Sequence, residues 1–391
     1  MHILFIITDY GSFNNFLAEL ALHLRQEQRR VSVICSDSKT ISVADKENYR
    51  ESGIQFYFLP FPRSFNFIRQ YLISLRIHRL VKTIKPDLVH IHFTTAMSTT
   101  LFAGRLPIYT MGTVHGLGYP TFRNPIKRWI FKRTEHTIIR RLDEFWVLNR
   151  EDFQLLTKYH GEKIHLYRTA GIGCDTEKFN SQAYNHQKAP LRQQLHIAPE
   201  VLIYTFIGRF VYFKGFALVI KAFLRLATQY KDIHLLLIGG KDPLHNTGLD
   251  KAEERELFQH PAITHIPFTH EVAQYLAITD MMVFPSIKEG MPVSIMEALA
   301  MHVPVITSDT RGCNELIKDG VNGYLLSKNP IVDEIVQTME QFYEARKRHN
   351  VRFRFDQQER SIARSDYVRE QCKIYASVYI EIKARQVKSS E

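Results

Sequence analysis

The sequence contains no long apolar run, and this absence excludes several classes of protein. Nowhere in its 391 residues is there a stretch of the ~18–20 continuous apolar residues that a membrane-spanning helix needs. The amino-terminal segment MHILFIITDY is apolar but short and has no basic residues before its apolar run, so it predicts a first strand rather than a secretory signal. We therefore expect a cytoplasmic protein.

Cysteine is scarce as well, with only Cys35, Cys174, Cys313 and Cys372. None lies in a C-x-x-C pair or beside a histidine pair, which argues against a zinc site and against a disulfide framework. The first strand is not followed by G-x-G-x-x-G, which disfavours an NAD-dependent dehydrogenase. The Walker spacing is also absent, which excludes a P-loop ATPase.

Acidic residues are nearly missing from two basic segments in the first half of this chain of net charge +11. Residues 63–85 contain six Lys or Arg and no acid, and residues 123–141 contain seven against one acid. Apolar and aromatic residues, including Trp129 and Phe131, are interspersed among these charges. One such run is usually a solvated helix face, but two amphipathic runs favour a surface lying on anionic lipid. Nucleic acid is the alternative partner, although no nucleic-acid-binding motif accompanies the charge.

What the sequence does contain is an alternation of short apolar runs and longer amphipathic segments. This pattern predicts an α/β fold with parallel sheets covered by helices on both faces. A polar stretch at 180–200 predicts a linker between two doubly wound, Rossmann-like domains, residues 1–185 and 186–365, with ligands expected in a cleft at the carboxyl ends of their strands. Residues 366–391 predict a closing helix that packs back toward the first domain. The predicted strands span residues 3–8, 30–35, 54–60, 88–93, 107–115, 144–149, 202–208, 234–240, 281–286 and 303–308.

The segment IGRFVYFKGF predicts an anion-binding turn. Arg209 and Lys214 lie on a strand-to-helix loop framed by Gly208 and Gly215, and the helix is predicted to begin after the second glycine. A guanidinium fork and an ammonium group near a helix N-terminus suit a diphosphate.

The segment KEGMPVSIMEALA contains two carboxylates eight positions apart. A helix predicted to begin near Pro292 leaves Glu289 in the preceding loop and places Glu297 on the helix. Such a pair could be solvated, or it could be a glycosidase acid and base. A glycosidase pair must flank one scissile bond, whereas a loop-to-helix transition separates these two residues.

Together, GRFVYFKG and EGMPVSIMEALA resemble the motifs of the retaining glycosyltransferases of the GT-B fold in group 1, or family four. GIGCDTEKF (171–179) is similar to that family's interdomain turn, and GCNELIKDGVNGYLL (312–326) is similar to its following loop and hairpin. GLGY (116–119) is similar to members that extend undecaprenyl-diphosphate-linked glycans. The resemblance implies transfer of a hexose or N-acetylhexosamine from a UDP-sugar to a lipid-linked or surface-polysaccharide acceptor.

The resemblance also implies roles for individual residues. Glu289 would face the donor sugar, Glu297 would bind the ribose, and Arg209 and Lys214 would hold the diphosphate with no metal cofactor, since the chain has no D-x-D motif. His115 and Glu289 are the expected catalytic residues. The other expected donor-binding residues are Gly11, Gly290, Met291, Pro292 and Val293. The expected acceptor-binding or membrane-facing residues are Gly118, Tyr119, Arg128, Lys132 and Arg133.

Two departures from the family limit these expectations. Ser12 stands where the family usually has a second glycine, and IPFTHE (266–271) differs from the usual turn, so no base contact is assigned. The expected location is cytoplasmic, peripheral on the inner face of the plasma membrane. A nucleotide-sugar epimerase of the same fold and a non-catalytic, membrane-associated sugar-binding subunit remain the alternatives.

Overall fold

The computed structural model describes residues 1–38, 43–62, 66–122, 124–242, 245–350 and 352–388. The first residues of the two basic segments, 63–65 and Arg123, therefore lie outside the described residues. The chain divides into two compact units, one formed by Met1–Ile172 with Ser365–Glu391 and the other by Gly173–Arg364. The polar stretch predicted as a linker, with its 3₁₀ helix Ser181–Gln187, belongs to the second unit.

The first unit contains a parallel sheet of seven strands. These are β1 (His2–Asp9), β2 (Arg30–Ser36), β3 (Gln55–Phe58), β4 (Leu88–His92), β5 (Thr110–Val114), β6 (Glu144–Val147) and β7 (Ile164–Leu166). Its helices are α1 (Tyr10–Phe16), α2 (Ala18–Gln26), α3 (Val43–Glu51), α4 (Phe67–Ile84), α5 (Thr94–Thr100), α6 (Pro125–Arg140) and α7 (Arg150–His160). The strand order β3-β2-β1-β4-β5-β6-β7 reverses between β1 and β4, as in doubly wound folds.

The second unit repeats this scheme with six parallel strands. These are β8 (Leu202–Ile207), β9 (Ile233–Ile238), β10 (Ile263–Ile266), β11 (Met281–Phe284), β12 (Val305–Ser308) and β13 (Gly323–Leu326), in the order β10-β9-β8-β11-β12-β13. Its helices are α8 (Lys188–Gln194), α9 (Phe216–Gln229), α10 (Lys251–Gln259), α11 (Val272–Ala277), α12 (Val293–Ala300) and α13 (Val332–Lys347). The order reverses between β8 and β11, where ligands of such sheets bind.

The last helix, α14 (Arg364–Lys388), packs on the first sheet. The Tyr375 hydroxyl lies 2.7 Å from His90 Nδ1, and the Glu370 carboxylate accepts hydrogen bonds from the backbone N–H groups of Arg168 and Thr169. Within the described residues no helix is both long and apolar enough to cross a membrane.

The predicted α/β class with two doubly wound sheets is confirmed. Apolar runs such as Ile3–Ile7 are buried on both faces of the sheet, which is why they read as continuous apolar segments. Two strands at sheet edges, β7 and β10, were missed. The expected hairpin at 312–326 is wrong, because β13 pairs in parallel with β12.

Candidate active site

The turn between β8 and α9 carries Arg209 and Lys214 at the carboxyl edge of the second sheet. As predicted, α9 begins at Phe216, directly after Gly215. Gly215 has φ = +75°, and a Cβ atom there would lie 2.5 Å from the carbonyl oxygen of Pro285. Only glycine permits this approach, so the turn packs directly on the loop that follows β11.

Lys214 and Glu289 form an ion pair. Lys214 Nζ donates to Glu289 Oε1 at 2.7 Å, and the two side chains are only 17% and 13% exposed. Ser286 Oγ donates to the same oxygen at 2.9 Å, and Lys214 Nζ lies 4.9 Å from the ring centre of Phe284. The cation predicted for the diphosphate and the carboxylate predicted for the sugar therefore contact each other, which no sequence pattern indicated.

Arg209 is paired with a residue that the sequence did not identify. Its Nη1 atom lies 2.5 Å from Asp242 Oδ2, and its guanidinium carbon lies 5.9 Å from the ring centre of Phe213. Asp242 follows β9, the strand beside β8, and also contacts His245. The strand order supplies the missing signal, because loops after adjacent parallel strands meet at one edge of the sheet.

The start of α12 brings together the other residues predicted for the donor. Pro292 is the N-cap residue of α12, and its side chain forms no capping hydrogen bond, so the backbone N–H groups in the first turn of α12 can serve an anion. Gly290, Met291 and Val293 lie beside it, with Met291 buried. Gly312, at φ = +80° after β12, would place a Cβ atom 2.3 Å from the carbonyl oxygen of Gly290. The loop after β12 thus supports this segment.

Glu297 lies one turn further along α12 in an environment unlike that of Glu289. Burial raises the pKa of Glu297 to about 7, and the nearby cations Arg364 and Lys178 oppose that rise. The Cys174 thiol also has a raised pKa, to about 12, through burial and then through the charge of Glu297. Near neutral pH the Glu297 carboxyl can therefore donate as well as accept hydrogen bonds.

His115, in the first unit, directly follows β5 and lies among aromatic rings. It stacks on Phe93 with ring centres 4.1 Å apart and meets Phe16 edge-on, and its Nε2 atom lies 3.3 Å from His92 Nδ1. Burial lowers the pKa of His115 to about 3, so its ring is neutral at neutral pH. A neutral imidazole suits a hydrogen bond to a sugar hydroxyl better than it suits acid catalysis.

Ser12, where the family usually has glycine, lies in the first turn of α1, which directly follows β1. Asp9 is the N-cap of α1, and its Oδ1 atom accepts hydrogen bonds from the Ser12 backbone N–H at 2.9 Å and from Ser12 Oγ at 3.0 Å. Gly11 is buried in the first turn of this helix. The serine therefore stabilises the helix start.

Gly118 and Tyr119 are held from inside the first unit. Their backbone N–H groups donate to the buried carboxylate of Glu135 at 2.9 and 3.3 Å, and the N–H of Leu117 donates to Asp152. Tyr119 is 5% exposed. Tyr119 therefore supports the turn from the core, and the exposed part of the predicted acceptor surface lies on α6.

The described parts of the two basic segments form α4 and α6, which both pack against α5. Arg128 and Arg133 of α6 are exposed, and Lys132 is partly buried. Large apolar side chains are also exposed on both helices, namely Phe67, Ile68, Tyr71, Leu72, Ile126, Trp129 and Ile130. Each helix thus carries apolar and cationic side chains on its exposed surface.

A group of potential metal ligands lies apart from the predicted site residues. Within the described ranges, His23 of α2, Glu27 directly after that helix and Cys372 of α14 have donor atoms within 4.8 Å of one another. None of the three was predicted to bind the donor.

Comparison with known proteins assigns the family. Residues 187–360 match the model of the group 1 glycosyl transferases, and residues 14–168 match that of glycosyltransferase family 4. The two matches together extend over most of both units, and the chain belongs to the group 1 glycosyltransferases of the GT-B fold. The predicted family and glycosyltransferase activity are thereby confirmed.

Individual relatives are distant in sequence. The chain is 24% identical over 79% of each protein to UDP-Gal:α-D-GlcNAc-diphosphoundecaprenol α-1,3-galactosyltransferase of Escherichia coli. It is 24% identical to N,N'-diacetylbacillosaminyl-diphospho-undecaprenol α-1,3-N-acetylgalactosaminyltransferase of Campylobacter jejuni, over 55% of this chain and 56% of that protein. The crystal structure of Anabaena HepE in complex with UDP has a similar fold, with a TM-score of 0.73 and 16% identity over 96% of this chain and 100% of that one.

Proposed function

We propose that the protein is a retaining glycosyltransferase that moves a hexose or N-acetylhexosamine from a UDP-sugar to a lipid-linked or surface-polysaccharide acceptor at the cytoplasmic face of the plasma membrane. The observation that carries the proposal is the Lys214–Glu289 pair beside the uncapped start of α12. It puts a cation and backbone N–H groups for a diphosphate next to a carboxylate for sugar hydroxyls. The names of the two relatives, which specify diphosphoundecaprenol-linked acceptors, support this acceptor class.

In this mechanism the reacting groups are positioned and the developing charge is neutralised. An acceptor hydroxyl forms a bond to the anomeric carbon while the bond from that carbon to the diphosphate oxygen breaks, and the hydroxyl proton passes to the departing diphosphate. Arg209, Lys214 and the start of α12 stabilise the negative charge that develops on UDP, without a metal ion. Glu289 and the neutral His115 orient the sugar, and Glu297 binds the ribose.

The membrane part of the proposal rests on α4 and α6. Exposed apolar side chains beside cations suit the interface of an anionic leaflet. Changing Arg128, Lys132 and Arg133 together to glutamine should raise the KM for a lipid-linked acceptor and leave the rate on a short soluble acceptor unchanged. Equal losses on both acceptors would contradict the membrane role.

The proposed reaction is tested with purified protein, a panel of nucleotide sugars and membrane-extracted lipid-linked acceptors. Mass spectrometry should show an acceptor heavier by one hexose or N-acetylhexosamine only when a UDP-sugar is present. A sugar that is converted without any acceptor would indicate an epimerase. No change with any donor would indicate a non-catalytic subunit, and either result would overturn the proposal.

A further inference from the structure

The solvent-exposed side of α6 contains a cavity of about 290 Å³ that includes Lys132 and Arg133 of the proposed membrane surface. Its charged and aromatic walls are Trp129, Lys132, Arg133, His136, Arg140 and Tyr159. Counted from Trp129, the next four lie three, four, seven and eleven positions later, which places them on one face of the helix. Tyr159 closes the cavity from α7.

The cavity is cationic, and none of its lining residues is acidic. Within the part of the chain that the structure describes, Lys132, Arg133 and Arg140 form no ion pair with a carboxylate. Lys132 Nζ instead contacts the Tyr159 hydroxyl at 3.2 Å, and the Arg133 guanidinium lies 5.7 Å from the ring centre of Trp129. Neutral aromatic groups therefore hold cations whose charge is not compensated.

His136 of the cavity wall and the adjacent His160 are partly buried and lie close to these cations. His136 Nδ1 lies 2.7 Å from His160 Nε2, and among the described residues the buried Nε2 atom of His136 has no hydrogen-bond partner. Burial lowers the pKa of His136, and so do Lys132 and Arg140. The pKa of His160 falls to about 4 through burial, then through His136, Arg140 and Lys163. An anion bound in the cavity would offset the positive charge of these cations and so raise the pKa values of the two histidines.

We propose that this cavity, the α6 phosphate pocket, binds the phosphodiester headgroup of an anionic membrane lipid. The inference rests on the membrane role proposed above and makes it specific. Arginine and lysine bind phosphate oxygens through charge-assisted hydrogen bonds. Trp129, which is 62% exposed, adjoins the exposed Ile126 and Ile130 on the same helix, so an apolar surface for acyl chains borders the pocket.

The test compares single substitutions of equal charge on one helix. Binding to phosphatidylglycerol vesicles is measured for the full chain and for Arg133→Gln, Arg140→Gln and Lys127→Gln, with phosphatidylcholine vesicles as the uncharged reference. Lys127 is exposed on α6 but does not line the cavity. Loss of diffuse attraction alone should weaken binding by a factor of about five. Each pocket variant should lose about tenfold or more, because it also loses charge-assisted hydrogen bonds. Equal losses of vesicle binding in all three variants would overturn the proposal that the cavity binds a lipid headgroup.

A second measurement uses the unaltered protein and does not depend on how variants fold. Soluble glycerol phosphate should raise the pKa of His136 in an NMR titration, and an unchanged titration up to saturating phosphate would contradict the proposal. Fluorescence reports on the same region, because Trp129 is exposed whereas Trp146 is 9% exposed. Phosphatidylglycerol vesicles should therefore shift the emission of Trp129.

The lipid-linked acceptor is the other source of phosphate at a membrane. If Arg140→Gln leaves vesicle binding intact but raises the KM for a diphosphate-linked acceptor, the pocket belongs to the acceptor and the lipid-headgroup proposal is overturned. Failure of the proposed transferase function would appear differently, as no transfer by the unaltered protein to any acceptor. Vesicle binding is measured without a donor and does not depend on that result.

Discussion

Lys214 Nζ lies 2.7 Å from Glu289 Oε1 although the two residues are 75 positions apart in the chain. Serine and aromatic neighbours surround the pair, and both side chains are largely shielded from water. In the proposed mechanism, an arriving diphosphate would compete with Glu289 for the ammonium group and free the carboxylate for sugar hydroxyls. Donor binding and sugar orientation would then be coupled through this one contact.

The ion pair predicts that Lys214→Met and Glu289→Gln have non-additive effects on the free energy of unfolding. Each single change should lower the free energy of unfolding by about 1–3 kcal/mol, because it leaves the partner charge uncompensated in a shielded site. The double variant should lose less than the sum of the two. Chemical denaturation of the four proteins measures this, and strict additivity would show that the pair is not coupled.

Arg209 is predicted to act on the diphosphate, and Arg225 offers a matched control. Arg225 is similarly exposed and pairs with Asp333, but it lies on the body of α9. Arg209→Ala should raise the activation free energy by about 2–4 kcal/mol and so reduce turnover, and Lys214→Ala should do the same. Arg225→Ala should leave turnover unchanged, and initial rates with a UDP-sugar compare the variants. Similar rates for both arginine variants would remove Arg209 from the mechanism.

The proposed chemistry predicts that EDTA leaves turnover at its untreated value. The group of His23, Glu27 and Cys372 could bind metal for a separate reason, so His23→Ala is assayed in parallel. Loss of activity with EDTA in both proteins, restored by Mg²⁺ or Mn²⁺, would mean that a metal serves the diphosphate.

The raised pKa of Glu297 predicts that the stability of the protein depends on pH. Because its pKa rises from 4.5 to about 7 on folding, the folded protein holds this proton more tightly than the unfolded chain does. The resulting stability is fully present below about pH 4.5 and is lost as the pH rises toward 7. The loss in the free energy of unfolding amounts to up to about 3 kcal/mol, at about 1.4 kcal/mol per pKa unit. Glu297→Gln should remove this loss, because glutamine does not titrate. Urea denaturation across this range checks the prediction, and identical pH profiles for the two proteins would refute it.

Alanine variants of Gly312 and Gly320 distinguish the effect of backbone strain from the effect of displacing the loop before α12. Both have positive φ, but a Cβ atom at Gly312 would meet the Gly290 carbonyl, whereas nothing lies within 4 Å of a Cβ atom at Gly320. Each alanine variant should lose about 1–2 kcal/mol of stability from its left-handed conformation. Only Gly312→Ala should also lower turnover, by about tenfold or more, because the donor loop must shift. Equal turnover in both variants would contradict a role for this packing.

Sequence patterns predicted those helix starts and strands that depend on residues close together in the chain. The start of α12 beside Pro292 followed from proline's preference for the first turn, and most strands followed from buried apolar runs. The strands β7 and β10 were missed because three or four residues that include a histidine do not form an apolar run. The contacts of Glu289 with Lys214 and of Asp242 with Arg209 could not be predicted, since they depend on which loops the strand order brings together.

Retaining transfer to a lipid-linked acceptor is tested most directly by analysing the product formed from an α-linked UDP-sugar and a diphosphoundecaprenol-linked acceptor. Mass spectrometry gives the added sugar, and NMR gives the configuration at its anomeric carbon. We expect an acceptor extended by one α-linked hexose or N-acetylhexosamine, formed equally well in EDTA and strongly reduced in Lys214→Ala. A β-linked product, or release of the sugar to water with the acceptor unchanged, would contradict retaining transfer.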